Sequence, residues 1–231
     1  MEDEKISSGS EVIDELLESG YDKGCISTIY GPGGSGKTNL CILFGIEVAR
    51  KGKKVIYVDT DGGFSFSRFS QLSSDKGLLD NFVFFRPTSF AEQKKAFSDI
   101  REIVNHLKDK VGTIIVDSIA MLYRLEIGKT NDVYEVNREL GVQVAYLVEI
   151  ARKQNIPVIL TNQVYSVPSQ ENKISMVGGD LLKYASKCLI ELKKYQSNVR
   201  VALLRKHRSL PEKKQIKFKI TQTGIKRIPP L

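Results

Sequence analysis

Three features of the sequence predict an α/β fold, with a mainly parallel twisted sheet flanked by helices and antiparallel strands at the C-terminal end. Short, continuous apolar runs at residues 25–30, 55–58, 113–117 and 157–163 read as strands buried on both faces. Helical stretches separate them, which implies right-handed crossovers and parallel pairing. After Lys187 the strands crowd together with short turns between them, which permits antiparallel pairing.

Along the chain, Ser10 is a predicted N-cap for a short helix in which Ile13, Leu16 and Leu17 recur at helical spacing, and Gly20 is expected to end it. The strand at 25–30 leads into a glycine-rich loop, and a helix opening at Asn39 is expected to run to about Lys51, where Gly52 stops it. The strand at 55–58 ends in Asp59-Thr60-Asp61. A helical stretch over about 90–110 precedes the strand ending in Asp117, and a helix over 132–154 precedes the strand ending in Gln163. The terminal strands are predicted at 188–192, 199–205 and 215–220, with a turn at Thr223-Gly224 before Ile225.

The chain has 231 residues and 41% hydrophobic content, enough for one α/β domain with a substantial core and too little for two full-sized ones. Neither a long apolar run nor a basic, apolar leader is present, so a cytoplasmic protein with no membrane partner is expected. Cys25, Cys41 and Cys188 lie far apart in apolar elements, as buried thiols do, and two histidines make structural zinc improbable. The net charge of +8 is uneven: residues 193–231 hold twelve Lys or Arg against one acid, Glu212, while the rest carries 23 basic and 26 acidic groups. A basic terminal block suggests a polyanion partner such as nucleic acid; lysines that protect strand edges are the alternative.

Gly31, Pro32, Gly33, Gly34, Ser35, Gly36, Lys37 and Thr38 form a phosphate loop between a strand and a helix. Its N–H groups and the helix dipole would cradle the phosphates of a nucleotide, Lys37 would reach the β and γ phosphates, and Thr38 would place a hydroxyl on Mg²⁺. Ligands of parallel sheets sit beyond the carboxyl ends of the strands, where Asp59, Asp61, Asp117 and Gln163 fall. Asp117 would hold Mg²⁺ through a water, or else cap the next helix. Asp61 would orient the attacking water, or else form the turn before Gly62-Gly63.

The order of these elements resembles the RecA/RadA recombinase superfamily, and most closely the short archaeal RadB proteins. The likeness rests on residues 6–17, the phosphate loop, Tyr57-Val-Asp-Thr-Asp-Gly-Gly-Phe64, Ile114-Ile-Val-Asp-Ser118, Leu160-Thr-Asn-Gln-Val164 and Gly178-Gly-Asp180. It implies a single RecA-like ATPase core over residues 1–231, binding ATP and Mg²⁺ and acting in homologous recombination and DNA repair. It also implies that Arg68 lies near the adenine, that Gln163 senses the γ-phosphate, and that residues 125–131 and 165–177 are two DNA-facing loops. By the same resemblance Lys206 or Arg208 would reach a neighbouring subunit's phosphate, whereas a basic hairpin tip facing solvent or DNA is the preferred reading.

Three departures narrow the role. The water-orienting acid of the superfamily is usually Glu, and Asp61 is shorter by one methylene, where about 1 Å of misplacement costs roughly a hundredfold in rate. The usual N-terminal helical DNA-binding domain is not expected, and none of the ten Phe residues begins a Phe-x-x-Ala polymerisation tether, so at most weak homo-oligomers are expected. The second loop carries one base, Lys173, and one acid, Glu171, which shifts DNA affinity to the terminal block. The resulting expectation is a weak ATPase that binds single-stranded or branched DNA and assists a full-length recombinase or a junction nuclease. A fully active DNA-stimulated recombinase or helicase-type ATPase is the alternative, and a small-molecule kinase a more distant one.

Overall fold

The computed structural model describes residues 4–166, 174–196 and 198–229. Its centre is a nine-stranded sheet built from β1 (Ile26–Tyr30), β2 (Lys54–Asp59), β3 (Phe82–Phe85), β4 (Val111–Asp117), β5 (Val158–Asn162), β6 (Ser186–Lys194), β7 (Val199–Lys206), β8 (Gln215–Thr221) and β9 (Gly224–Arg227). Their order across the sheet is β9-β8-β7-β6-β1-β5-β4-β2-β3. Every pair from β6 to β3 is parallel, and β6 to β9 run antiparallel to one another. The change of direction therefore falls one strand later than the change of sequence pattern: β6, first of the crowded strands, still pairs in parallel with β1.

Helices α1 (Glu11–Leu17), α2 (Lys37–Arg50), α3 (Phe66–Leu72), α4 (Phe90–Leu107), α5 (Met121–Ile127), α6 (Val133–Gln154) and α7 (Gly179–Ala185) cover the sheet. Two apolar layers result. One joins α1 and α2 to the inner side chains of β1, β6, β7 and β8; the other joins α4, α5, α6 and α7 to β4 and β5. Strands buried on both faces need apolar residues at successive positions, and Val111–Asp117 is buried throughout.

Local signals explain most element ends. Ser89 and Asp132 cap α4 and α6 by accepting the amides of Glu92 and Glu135, each three residues on. Ser10 is the N-cap of α1 but uses its carbonyl, not its hydroxyl, and the helix ends earlier than expected: Glu18 takes the left-handed conformation assigned to Gly20. Burial of Val12, Ile13, Leu16 and Leu17 outweighs that cost, at about 2 kcal/mol for each side chain. The expected loop at 125–131 is shorter too, because residues 125–127 continue α5. Of the second expected loop, Val164–Ser166 and Ile174–Met176 pair as an antiparallel hairpin, while Glu171 and Lys173 lie outside the described residues.

The candidate nucleotide site

The phosphate loop joins β1 to α2 at the carboxyl edge of the sheet. Gly31 is forced by close packing, since a Cβ there would lie 2.4 Å from the carbonyl oxygen of Leu192. Gly36 is forced by conformation, with φ of 106° at the N-cap of α2. No side chain caps that helix and no acid sits in its first turn, so its amides and dipole stay open to an anion.

Lys37 is buried, and Nζ donates to the carbonyls of Gly31 at 2.9 Å and Pro32 at 3.1 Å. Burial lowers its pKa, while Asp117 and Asp61 act in the other direction. The ammonium is thus folded into the loop it would use on a phosphate. The hydroxyl of Ser35 is buried with no hydrogen-bond partner among the described residues. An orphaned donor beside open helix amides fits a phosphate group.

Asp117 ends β4 with 2% exposure and receives hydrogen bonds from Thr161, from Tyr57 at 3.1 Å and from Thr38. Burial raises its pKa, and the three hydroxyl donors oppose the rise. Among the described residues it has no ion pair with a lysine or arginine. A buried carboxylate bonded only to hydroxyls, one of them on the phosphate loop, fits a hydrated Mg²⁺ held between Thr38 and Asp117.

Asp61 and Gln163 come together from opposite sides of β4: Gln163 Nε2 donates to Asp61 Oδ2 at 3.1 Å, and Ser118 Oγ to Asp61 Oδ1 at 3.3 Å. Asp59 is not aimed at a ligand. Its carboxylate accepts the amides of Gly63 at 2.9 Å and Phe64 at 3.1 Å, shaping the turn that carries Asp61. Arg68 lies beside the start of α2, its Nε 2.6 Å from Asn39 Oδ1 and its Nη1 2.9 Å from the carbonyl of Gln222.

Two cations at the loop escaped the sequence reading. Arg200 Nε donates to the Gly34 carbonyl at 3.2 Å, and Lys194 Nζ lies 3.2 Å from where a Gly34 Cβ would stand. They are cross-strand partners in β6 and β7, so only strand register brings them to the loop. The same limit hid Thr161, which lies beside Asp117 because Val116 pairs with Leu160. Lys206 and Arg208 are both engaged within the chain: Lys206 Nζ donates to the Lys183 carbonyl at 2.7 Å and Arg208 Nε to Asp22 Oδ2 at 3.0 Å. Arg208 remains an exposed residue of the turn after β7 while its Nε reaches a buried carboxylate, and the preferred reading of a basic tip facing solvent or DNA stays a proposal.

Comparison with known proteins agrees with this geometry. The Rad51 family model matches residues 3–228. The DNA repair and recombination protein RadB of Methanobrevibacter smithii is 41% identical over 218 residues, covering 92% of each chain, and that of Methanococcoides burtonii is 39% identical over 225 residues, covering 96% of this chain and 98% of its own. A crystal structure of the RadB recombinase superposes with a TM-score of 0.79 at 34% identity, covering 97% of this chain and all of that one. Agreement of this kind across almost the whole length has one consequence: the chain belongs to the Rad51 family, within its group of RadB DNA repair and recombination proteins.

Proposed function

We propose that this protein is an ATP-dependent accessory factor of homologous recombination and DNA repair: it binds DNA, hydrolyses ATP slowly and assists a full-length recombinase or a junction nuclease. The observation that carries the reading is the convergence of the open α2 terminus, Lys37, Thr38, Asp117, Asp61 and Gln163 at one edge of the sheet. Mg²⁺, when bound, would neutralise charge on the β and γ phosphates. Lys37 exchanges its loop carbonyls for phosphate oxygens, Thr38 and Asp117 hold the hydrated ion, and Arg68 lies against the adenine.

Asp61 orients the attacking water, and Gln163 connects the γ-phosphate end of the site to the hairpin that follows β5. Asp61 is one methylene short of the usual Glu and is already tied to Gln163 and Ser118. Slow turnover follows, so ATP acts chiefly as a ligand that favours one conformation over another. ATP hydrolysis measured with and without single-stranded DNA tests this. Lys37→Ala should abolish turnover and Asp61→Glu should raise it. Fast, DNA-stimulated turnover in the natural protein, with no gain from Asp61→Glu, overturns the accessory reading in favour of an active recombinase.

A further inference from the structure

The terminal strands carry cations that the nucleotide site does not use. Ile216, Phe218 and Ile220 of β8 enter the core layer of α1 and α2, so strand alternation turns Lys217 and Lys219 to the opposite face. Register extends the pattern sideways. Lys219 faces Lys226 of β9, and Val201 of β7 lies between Lys217 on one side and Lys193 of β6 on the other.

Among the described residues α1 is the only helix packed substantially against β7, β8 and β9, and it lies on the core side. Val201 is nevertheless 7% exposed. Lys193 and Lys217 flank it on the neighbouring strands, and lysine stems can cover apolar surface while their ammonium groups stay in water. Tyr195, largely exposed at the end of β6, has Lys217 Nζ 5.0 Å from its ring centre.

Two observations separate this face from an ordinary solvated surface. Lys217, Lys219 and Lys226 have no acidic partner among the described residues, and Lys219 and Lys226 stand directly opposite each other, a pairing that costs stability. Protection of a sheet edge explains Lys226 on β9, yet β8 is an inner strand. A polyanion across the face would convert the repulsion into binding.

We propose that the face formed by Lys217, Lys219 and Lys226, with Tyr195 at its margin and Lys193, which pairs with Glu191 at 3.5 Å, beside it, binds the phosphodiester backbone of DNA. This deepens the DNA-binding part of the function proposed above and rests on it. Lysine ammonium groups read charge and not base sequence, so the contact is indifferent to sequence and strongly salt-dependent.

The test uses the full chain and fluorescent single-stranded and duplex oligonucleotides, with anisotropy followed between about 50 and 200 mM salt. Replacing Lys217, Lys219 and Lys226 together by Ala should make the log-affinity slope against log salt shallower by about two to three, roughly one per lost phosphate contact. ATP affinity should stay unchanged. Replacing the exposed Lys76, Lys95 and Lys110 by Ala removes the same charge far from this face and should leave the slope as it was. An unchanged slope in the first variant, or an equal loss in both, overturns the proposal. A change of sedimentation without a change of slope makes the face a self-association surface and likewise overturns it. Binding of neither oligonucleotide by the natural protein defeats the DNA-binding reading itself, an outcome distinct from the other three.

Discussion

Two buried aspartates, Asp22 ahead of β1 and Asp117 at the end of β4, have been given different partners. Asp22, 2% exposed, has two cations, Arg208 Nε at 3.0 Å and Lys5 Nζ at 3.9 Å, and the neutral His207 ring Nε2 at 3.3 Å, while its Oδ1 accepts no hydrogen bond among the described residues. Asp117, equally buried, has three hydroxyl donors and no ion pair among the described residues. A buried carboxylate given its cations by the chain closes the fold, here tying the turn after β7 to the N-terminal residues. One left with neutral donors bears a cost in the ligand-free protein that an incoming cation would relieve.

Removing each carboxylate should therefore act in opposite directions. Asp22→Ala leaves His207 and Arg208 beside an apolar void and should cost about 3 kcal/mol, lowering the melting temperature by roughly 6–12 °C. Melting at the natural temperature would show that the cluster holds nothing together. Asp117→Asn should melt at or above the natural temperature without ligand, because it removes a charge disfavoured by burial. The same variant should lose the stabilisation by ATP and Mg²⁺, worth about 2.7 kcal/mol when ligand is at a hundred times its dissociation constant. A ligand-free Asp117→Asn that melts as low as Asp22→Ala would place both residues in the fold and neither in the site.

The contrast also marks how far the sequence could be read. Asp117 was legible because a phosphate loop earlier in the chain gives an acid at the end of a buried strand a chemical reason, and the parallel core followed from uninterrupted runs such as Thr113-Ile-Ile-Val. Asp22 was not, since its partners Lys5, His207 and Arg208 are brought to it only by folding. Lys194 and Arg200 were counted in the basic block, but which of its cations face the phosphate loop and which face away depends on alternation through β6 and β7. Charge totals are additive along a chain; the side of a sheet on which a charge emerges is not. Glu18 in place of Gly20 has the same origin, with four buried side chains of α1 outweighing local backbone preference.

The smallest expected effect sharpens the comparison through pH. His207 Nδ1 accepts the amides of Ser209 and Leu210, both at 3.2 Å, so the ring proton sits on Nε2 and points to Asp22. Protonation would set a new N–H against two existing donors. Burial, with Lys5 and Arg208 nearby, lowers the His207 pKa, and the attraction of Asp22 and Glu18 does not restore it. The unfolded chain therefore takes up a proton more readily than the folded one. Stability is full above about 6.5 and falls as pH drops from there towards the folded value. Asp117 has the opposite sign. It faces Asp61, Lys37, Tyr57 and Cys41, and its raised pKa means that ligand-free stability falls as pH climbs from 3.8 through the folded value. Each unit of displacement is worth about 1.4 kcal/mol at most. Melting curves between pH 7.5 and 5.5 separate the two. His207→Asn, whose Oδ1 can take over the two amides, should lose the acid-side decline, and Asp117→Asn should keep it. If Asp117→Asn abolishes the decline and His207→Asn does not, the His207 ring beside Asp22 is not what acid disturbs.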